Sequence, residues 1–187
     1  ALARARRAVR AGDAAIIGAC APGLRFFLQR DVAPNDLASA DVQRAFCALD
    51  DADVLVSLKA WQHSDDAVLA DLSSRFLNRR LPIVTFLDAP PTDEERAVWR
   101  AEVEGWINAR GHADASEAST IVPYYLHFGE VTNTAYSEPI LIRERDGTIQ
   151  DFARAADFSL VGPVRRPVVK PYVCAPRGVG IEESPRE

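Results

Sequence analysis

The chain has 187 residues, of which 48% are hydrophobic and 26% charged, and a formal net charge of −5. That length suits one domain with a sizeable core, or a helical domain with a small α+β appendage. The mildly acidic balance excludes the broad basic footprint of a general nucleic-acid binder, and no apolar run approaches the ~20 residues that a membrane-spanning helix needs.

In chain order, helices are expected near 2–11, 14–30, 39–48, 51–62, 66–80 and 92–110. The first is stopped by Gly12, a favoured residue just past a helix end. Its arginines Arg4, Arg6, Arg7 and Arg10 scatter round the helix, which favours solvated or paired surface charges over a phosphate-binding cluster. A small apolar stretch from Asp13 to Ala21 follows, consistent with a close-packed short helix. Pro22-Gly23 punctuates before LRFFLQRDV, where Leu24, Phe27 and Leu28 form a core-facing stripe. Pro34-Asn35-Asp36 is a turn, after which Ser39 or Asp41 can cap a helix holding Val42, Ala45 and Phe46.

Two helices joined by a very short turn come next. Asp50, Asp51 and Asp53 start the first, because a short carboxylate accepts from the open N–H groups of a first turn and suits that end of the dipole. Val54, Leu55, Leu58 and Trp61 fall on one face. Asp65 and Asp66 restart the pattern, and Val68, Leu69, Leu72, Phe76 and Leu77 form the second stripe. Asn78, Arg79 and Arg80 close it, and Pro82 bars continuation. IVTFL after Pro82 reads as a short strand. Thr92 and Glu95 form a capping box before a helix with Trp99, Val103, Trp106 and Ile107 on one side.

The polar stretch 112–119 is the best linker, which divides a helical domain, 1–111, from a small α+β domain, 120–176. The strand that precedes it is a candidate member of the second unit. Beyond it IVPYYLHF, ILIRER and VVKPYVC read as strands, with a tight turn at Asp146-Gly147 and a short helix over Gln150 to Asp157. The tail 177–187 is expected to be peripheral. The fold class is therefore α+β, an antiparallel helical bundle followed by a small sheet unit packed on it. Cys20, Cys47 and Cys174 lie far apart in apolar contexts. They read as buried free thiols of a reducing, cytoplasmic compartment and not as zinc ligands.

LDDADVLVSLKAWQHSDDAVLADLSSRFLNRRL, Leu49 to Leu81, resembles the segment after the catalytic core of HD-domain metal-dependent phosphohydrolases, the superfamily of the deoxynucleotide triphosphohydrolases. The shared pattern is a Leu-Asp-Asp helix start, Lys-x-Trp-Gln, an acidic turn, and a second helix ending in Asn-Arg-x-Leu. RARRAVRAG near the start, LRFFLQRDV, and RPVVKPYVCAPR from Arg166 to Arg177 match in the same order. The resemblance implies the C-terminal accessory and oligomerisation portion of such a protein, inactive by itself, with an upstream HD catalytic domain as partner and a divalent metal held there. The start at Ala1 and the absence of Met are consistent with a segment of a longer protein.

HD phosphohydrolases surround divalent ions with His, a His-Asp pair and a further Asp, so that bound water becomes a nucleophile near neutral pH. No His-Asp dipeptide occurs here. The closest imitation, His63, Asp65 and Asp66, sits on a turn that helix capping already explains. His112 is expected to be solvated in the linker, and His127 to be a hydrogen-bonded, partly buried strand residue. Ser73 and Ser74 have no base nearby in sequence, and no phosphate-binding glycine loop is present. No catalytic or metal-ligating residue is therefore assigned. Candidate phosphate, nucleotide or inter-lobe contacts are Lys59, Arg79, Arg80, and Arg143 and Arg145, which alternate on one strand face, since guanidinium groups suit phosphates. The competing assignment has Arg79 and Arg80 complementing the helix dipole and pairing with Asp50, Asp51 or Asp53. Beside the accessory lobe stands a second functional reading, a stand-alone ligand-sensing or interaction module with a nucleotide effector. A third makes the chain an enzyme using His63, Asp65 and Asp66.

Overall fold

Four of the eight α-helix starts among the described residues are set by side chains that satisfy open N–H groups. Asp50 accepts from Ala52 and Asp53 N–H, Asp66 from Leu69 N–H, and Asp13 from Ile16 N–H, while Thr92 and Glu95 close the capping box reciprocally. The computed structural model describes residues 1–112, 117–133, 140–151 and 168–181. Its helices are α1 (Leu2–Arg10), α2 (Ala14–Gly18), α3 (Pro22–Gln29), α4 (Ala40–Ala48), α5 (Asp51–Trp61), α6 (Ala67–Leu77), α7 (Asp93–Asn108) and α8 (Ala118–Ile121), with 3-10 turns at Pro34–Ala38 and Val122–Tyr124. The strands are β1 (Ile83–Phe86), β2 (His127–Asn133), β3 (Leu141–Arg143), β4 (Ile149–Asp151) and β5 (Val168–Ala175).

The class is α+β: a helical layer with a small antiparallel sheet of order β1-β5-β2, and a separate β3-β4 hairpin. β5 is central although it contains Pro171, which has no N–H to donate. The Pro171 carbonyl accepts from Leu87 N–H, so its ring nitrogen faces the same side, just past the last residue of β1. No bond to β2 is lost there. Opposite Tyr172 stands Gly129, where a Cβ would lie 2.5 Å from the tyrosine ring. The glycine lets that ring lie flat over β2.

Helix α6 separates two cores. Val68 joins Val103, Ile107, Ile121, Leu126 and Val173 on the sheet side. Its neighbour Leu69 joins Ala5, Ile16, Leu24, Leu58 and Trp61 on the helical side. Each such aliphatic side chain contributes about 1.5–3 kcal/mol when fully buried. On the helical side α5 reaches α3 through Ser57, whose hydroxyl accepts from Ala21 N–H at 3.0 Å and donates to the Asp53 carbonyl at 2.8 Å.

Several expectations are corrected. The run 14–30 is not one helix but two, the short one expected within Asp13 to Ala21 and a second that starts at Pro22. Ile121 to Tyr124, expected in a strand, is helical, because Ile121 and Val122 turn into the core beside α7. Phe46, Leu55 and Phe76 were expected in apolar stripes but are exposed at 64%, 42% and 51%. Cys47 is exposed, whereas Cys20 is buried and Cys174 half-buried, and burial pushes both of those thiols up. Val179 and Ile181 of the expected peripheral tail pack on the sheet-side core. Gln150 lies in β4, and 152–157 of the expected helix fall outside the described residues. Within the predicted linker Ala118 is 2% exposed, and 113–116 fall outside the described residues.

Candidate functional site

The arginines at the end of α6 first serve the helix itself. Arg79 has φ 54°, the left-handed conformation that ends helices. Its N–H donates to the Phe76 carbonyl at 3.2 Å, and Arg80 N–H donates to the Arg75 carbonyl at 2.8 Å. This is a Schellman closure with arginine where glycine is usual. The Arg80 guanidinium donates to Ser74 Oγ at 3.0 Å. Of the aspartates considered as its partners, Asp50 and Asp53 are engaged in capping α5. The groove beside Arg79 is walled by Leu55, Phe76, Leu77 and Leu81, a lining too apolar to hold a phosphate by itself. Lys59 is exposed on α5. Arg143 ends β3, and Arg145 lies in the hairpin turn rather than alternating with it on a strand. Both are exposed.

His63, Asp65 and Asp66 do not fit a divalent metal. His63 and Asp65 are exposed. One Asp66 oxygen caps α6 at Leu69 N–H, 3.0 Å away, and the other accepts from Arg4 Nε at 2.7 Å. A guanidinium at that distance occupies the place a cation would take and repels it. Among the described residues no three His, Cys, Asp or Glu side chains converge on a point. Ser73 is fully enclosed and its hydroxyl has no hydrogen-bond partner, whereas Ser74 accepts from Asn78 and Arg80.

On α1 three of the four arginines line one hollow of about 600 Å³ with Leu2, Phe27 and Leu28. Asp31 bridges Arg6, at 2.6 Å, and Arg10, and these guanidinium groups hold its carboxyl below the usual range. Arg4 turns to Asp66 instead. The arginines are therefore paired surface charges for the most part.

The most concentrated chemistry lies where residue spacing did not point. Asp71, on α6, accepts from Arg75 Nε at 2.6 Å and from the Tyr125 hydroxyl at 2.9 Å. Arg75 and Arg110 lie over the Trp106 ring, 4.7 and 3.9 Å from its centroid. His112 closes the group, its ring stacked on Tyr125 at 6.2 Å between centroids. It is not solvated, as the sequence suggested, but packed, with 14% of its side chain exposed. Burial pushes its pKa down. Asp71 pulls the other way, and Arg75 and Arg110 add to the lowering. His112 Nε2 lies 3.6 Å from the carboxylate and makes no hydrogen bond. Burial first, and then Asp71, hold the Tyr125 phenol far above its ordinary pKa. Arg75 and Tyr125 share one Asp71 oxygen, and the cluster ties α6 to the segment before β2. Only the Asp71–Arg75 spacing of four was legible in the sequence. His127, expected to be partly buried, is exposed, with its ring 6.1 Å from that of Tyr172.

These layers define a mixed helical and antiparallel-sheet lobe with no assembled catalytic constellation among the described residues. Its fold is phosphohydrolase-related. It is similar to the crystal structure of a phosphohydrolase (BT4208) from Bacteroides thetaiotaomicron, with a TM-score of 0.72 and 27% identity. The match covers 93% of this chain and 41% of that one, so the chain spans about two fifths of that phosphohydrolase. No family model and no curated protein matches the chain.

Proposed function

We propose that this chain is the C-terminal accessory lobe of an HD-type metal-dependent phosphohydrolase acting on a nucleotide or another phosphoester, inert without its catalytic portion. The observation that carries this reading is the coverage: nearly all of this chain matches, and it accounts for a minority of the phosphohydrolase it resembles. The polar side chains support it, because the acidic ones nearest to a ligand set are committed to caps and arginines. In this reading the lobe supplies packing and assembly, and the divalent metal belongs to the catalytic portion.

The test is to clone the whole reading frame that encodes the chain. It is expected to carry a His, a His-Asp pair and a later Asp ahead of Ala1. Replacing that His-Asp pair by Ala-Ala should abolish phosphoester hydrolysis by the whole product. A frame without such a set contradicts the reading and favours a self-standing module.

A further inference from the structure

The end of the α5–α6 hairpin leaves apolar surface uncovered. Leu55, Phe76 and Leu81 are 42%, 51% and 52% exposed. With Leu77 and Arg79 they wall an open groove of about 430 Å³. Phe76 and Leu81 also wall an apolar cavity of about 160 Å³ that runs between Leu72 and the rings of Tyr124 and Tyr125. The two hollows share those two side chains, so they form one continuous strip. Isolated exposed apolar residues are ordinary, but a contiguous strip with a polar rim marks an interaction surface. Arg79, exposed at the groove, supplies a cation at its rim, whereas Arg75 at the cavity is paired with Asp71.

We propose that this strip seats the catalytic portion of the phosphohydrolase, whose apolar side chains insert beside Phe76 and Leu81 while an acidic residue next to them pairs with Arg79. This assignment rests on the accessory-lobe reading. Two observations choose that occupant. Most of the similar phosphohydrolase lies outside the part this chain matches. Ala1 lines the cavity, so the amine end of these residues lies at the strip. Arg79 then has two uses: its backbone ends α6, and its exposed side chain, which lines the groove, selects an acidic partner.

The experiment uses the product of the whole reading frame with a benzophenone amino acid in place of Phe76. Irradiation should give a crosslink to residues of the catalytic portion within the same polypeptide. Crosslinks to a second copy, to residues 1–187 alone, or to nothing overturn the assignment. In parallel, Phe76→Glu with Leu81→Glu should leave the melting temperature of the 187-residue chain within a few degrees, since both side chains are already half exposed. The same pair should lower phosphoester hydrolysis by the whole product at least tenfold. Unchanged hydrolysis overturns the assignment. A reading frame without a catalytic portion defeats the lobe reading and the seat together. An active one without the crosslink defeats the seat alone.

Discussion

Removing the Asp71 carboxylate tests the link between α6 and the segment before β2. The side chains of Asp71 and Arg75 are 15% and 20% exposed, so their pair is largely shielded from water. Truncating one partner of a buried pair costs about 3–5 kcal/mol. Arg75 keeps its place over Trp106 after the change, which offsets part of that cost. Tyr125 loses its acceptor, and an unsatisfied buried hydroxyl costs about 1–3 kcal/mol. Taken together, Asp71→Ala is expected to destabilise by about 3 kcal/mol. For a chain of this size that lowers the melting temperature by about 6–12 °C. Asp71→Asn keeps an acceptor for Tyr125 and loses only the charge, so roughly half the loss is expected. A double-mutant cycle with Tyr125→Phe, followed by urea unfolding, should give a coupling of about 1.5 kcal/mol, as for a hydrogen bond to a charged group. A loss below about 0.5 kcal/mol for Asp71→Ala, the size of an ordinary surface change, would refute the reasoning.

Three further outcomes follow from the same geometry. The His112 pKa is lower folded than unfolded, so at mildly acidic pH the unfolded chain binds the extra proton. Stability should be fully present above about 6.5, the ordinary histidine value, and fall as pH drops through the depressed folded pKa; His112→Gln should remove that slope from melting temperatures measured between pH 7 and 5. Arg79→Gly should raise stability by about 0.5–1 kcal/mol in thermal unfolding, because glycine adopts the left-handed helix end without a Cβ penalty. A loss would show that the Arg79 side chain contributes more than its backbone. Ser57→Ala should cost about 1–2 kcal/mol in chemical denaturation, because Ala21 N–H loses its acceptor; a neutral result would mean that water replaces the hydroxyl.

Local chemistry was legible in the sequence, and tertiary placement was not. The caps at Asp50, Asp66 and Thr92 involve residues two or three apart, so type and spacing alone reveal them. The stripe of α7 was also legible, since Val103, Trp106 and Ile107 are buried where the helical period put them. Periodicity says which residues share a face, but not whether a neighbour covers that face. Phe46, Leu55 and Phe76 therefore emerged on uncovered surface. At Ile121 and Val122 the β-branched side chains favoured a strand, and packing against α7 overrode that preference. The cluster round Asp71 was hidden for a related reason. Its members come from positions 71, 75, 106, 110, 112 and 125, and nothing in the sequence brings 112 back to 71. The sequence marks Arg79 as a cation at a helix end, and its left-handed backbone is visible only in three dimensions.

Hydrolysis by the chain alone tests the central claim most directly. The 187-residue chain and the product of its whole reading frame are assayed with manganese and a panel of nucleotides and simple phosphoesters, at equal concentration. The account predicts turnover by the whole product, lost on adding chelator, and no turnover by the 187 residues with or without metal. Chelator-sensitive turnover by the 187-residue chain that disappears in Asp65→Ala or Asp66→Ala would contradict it.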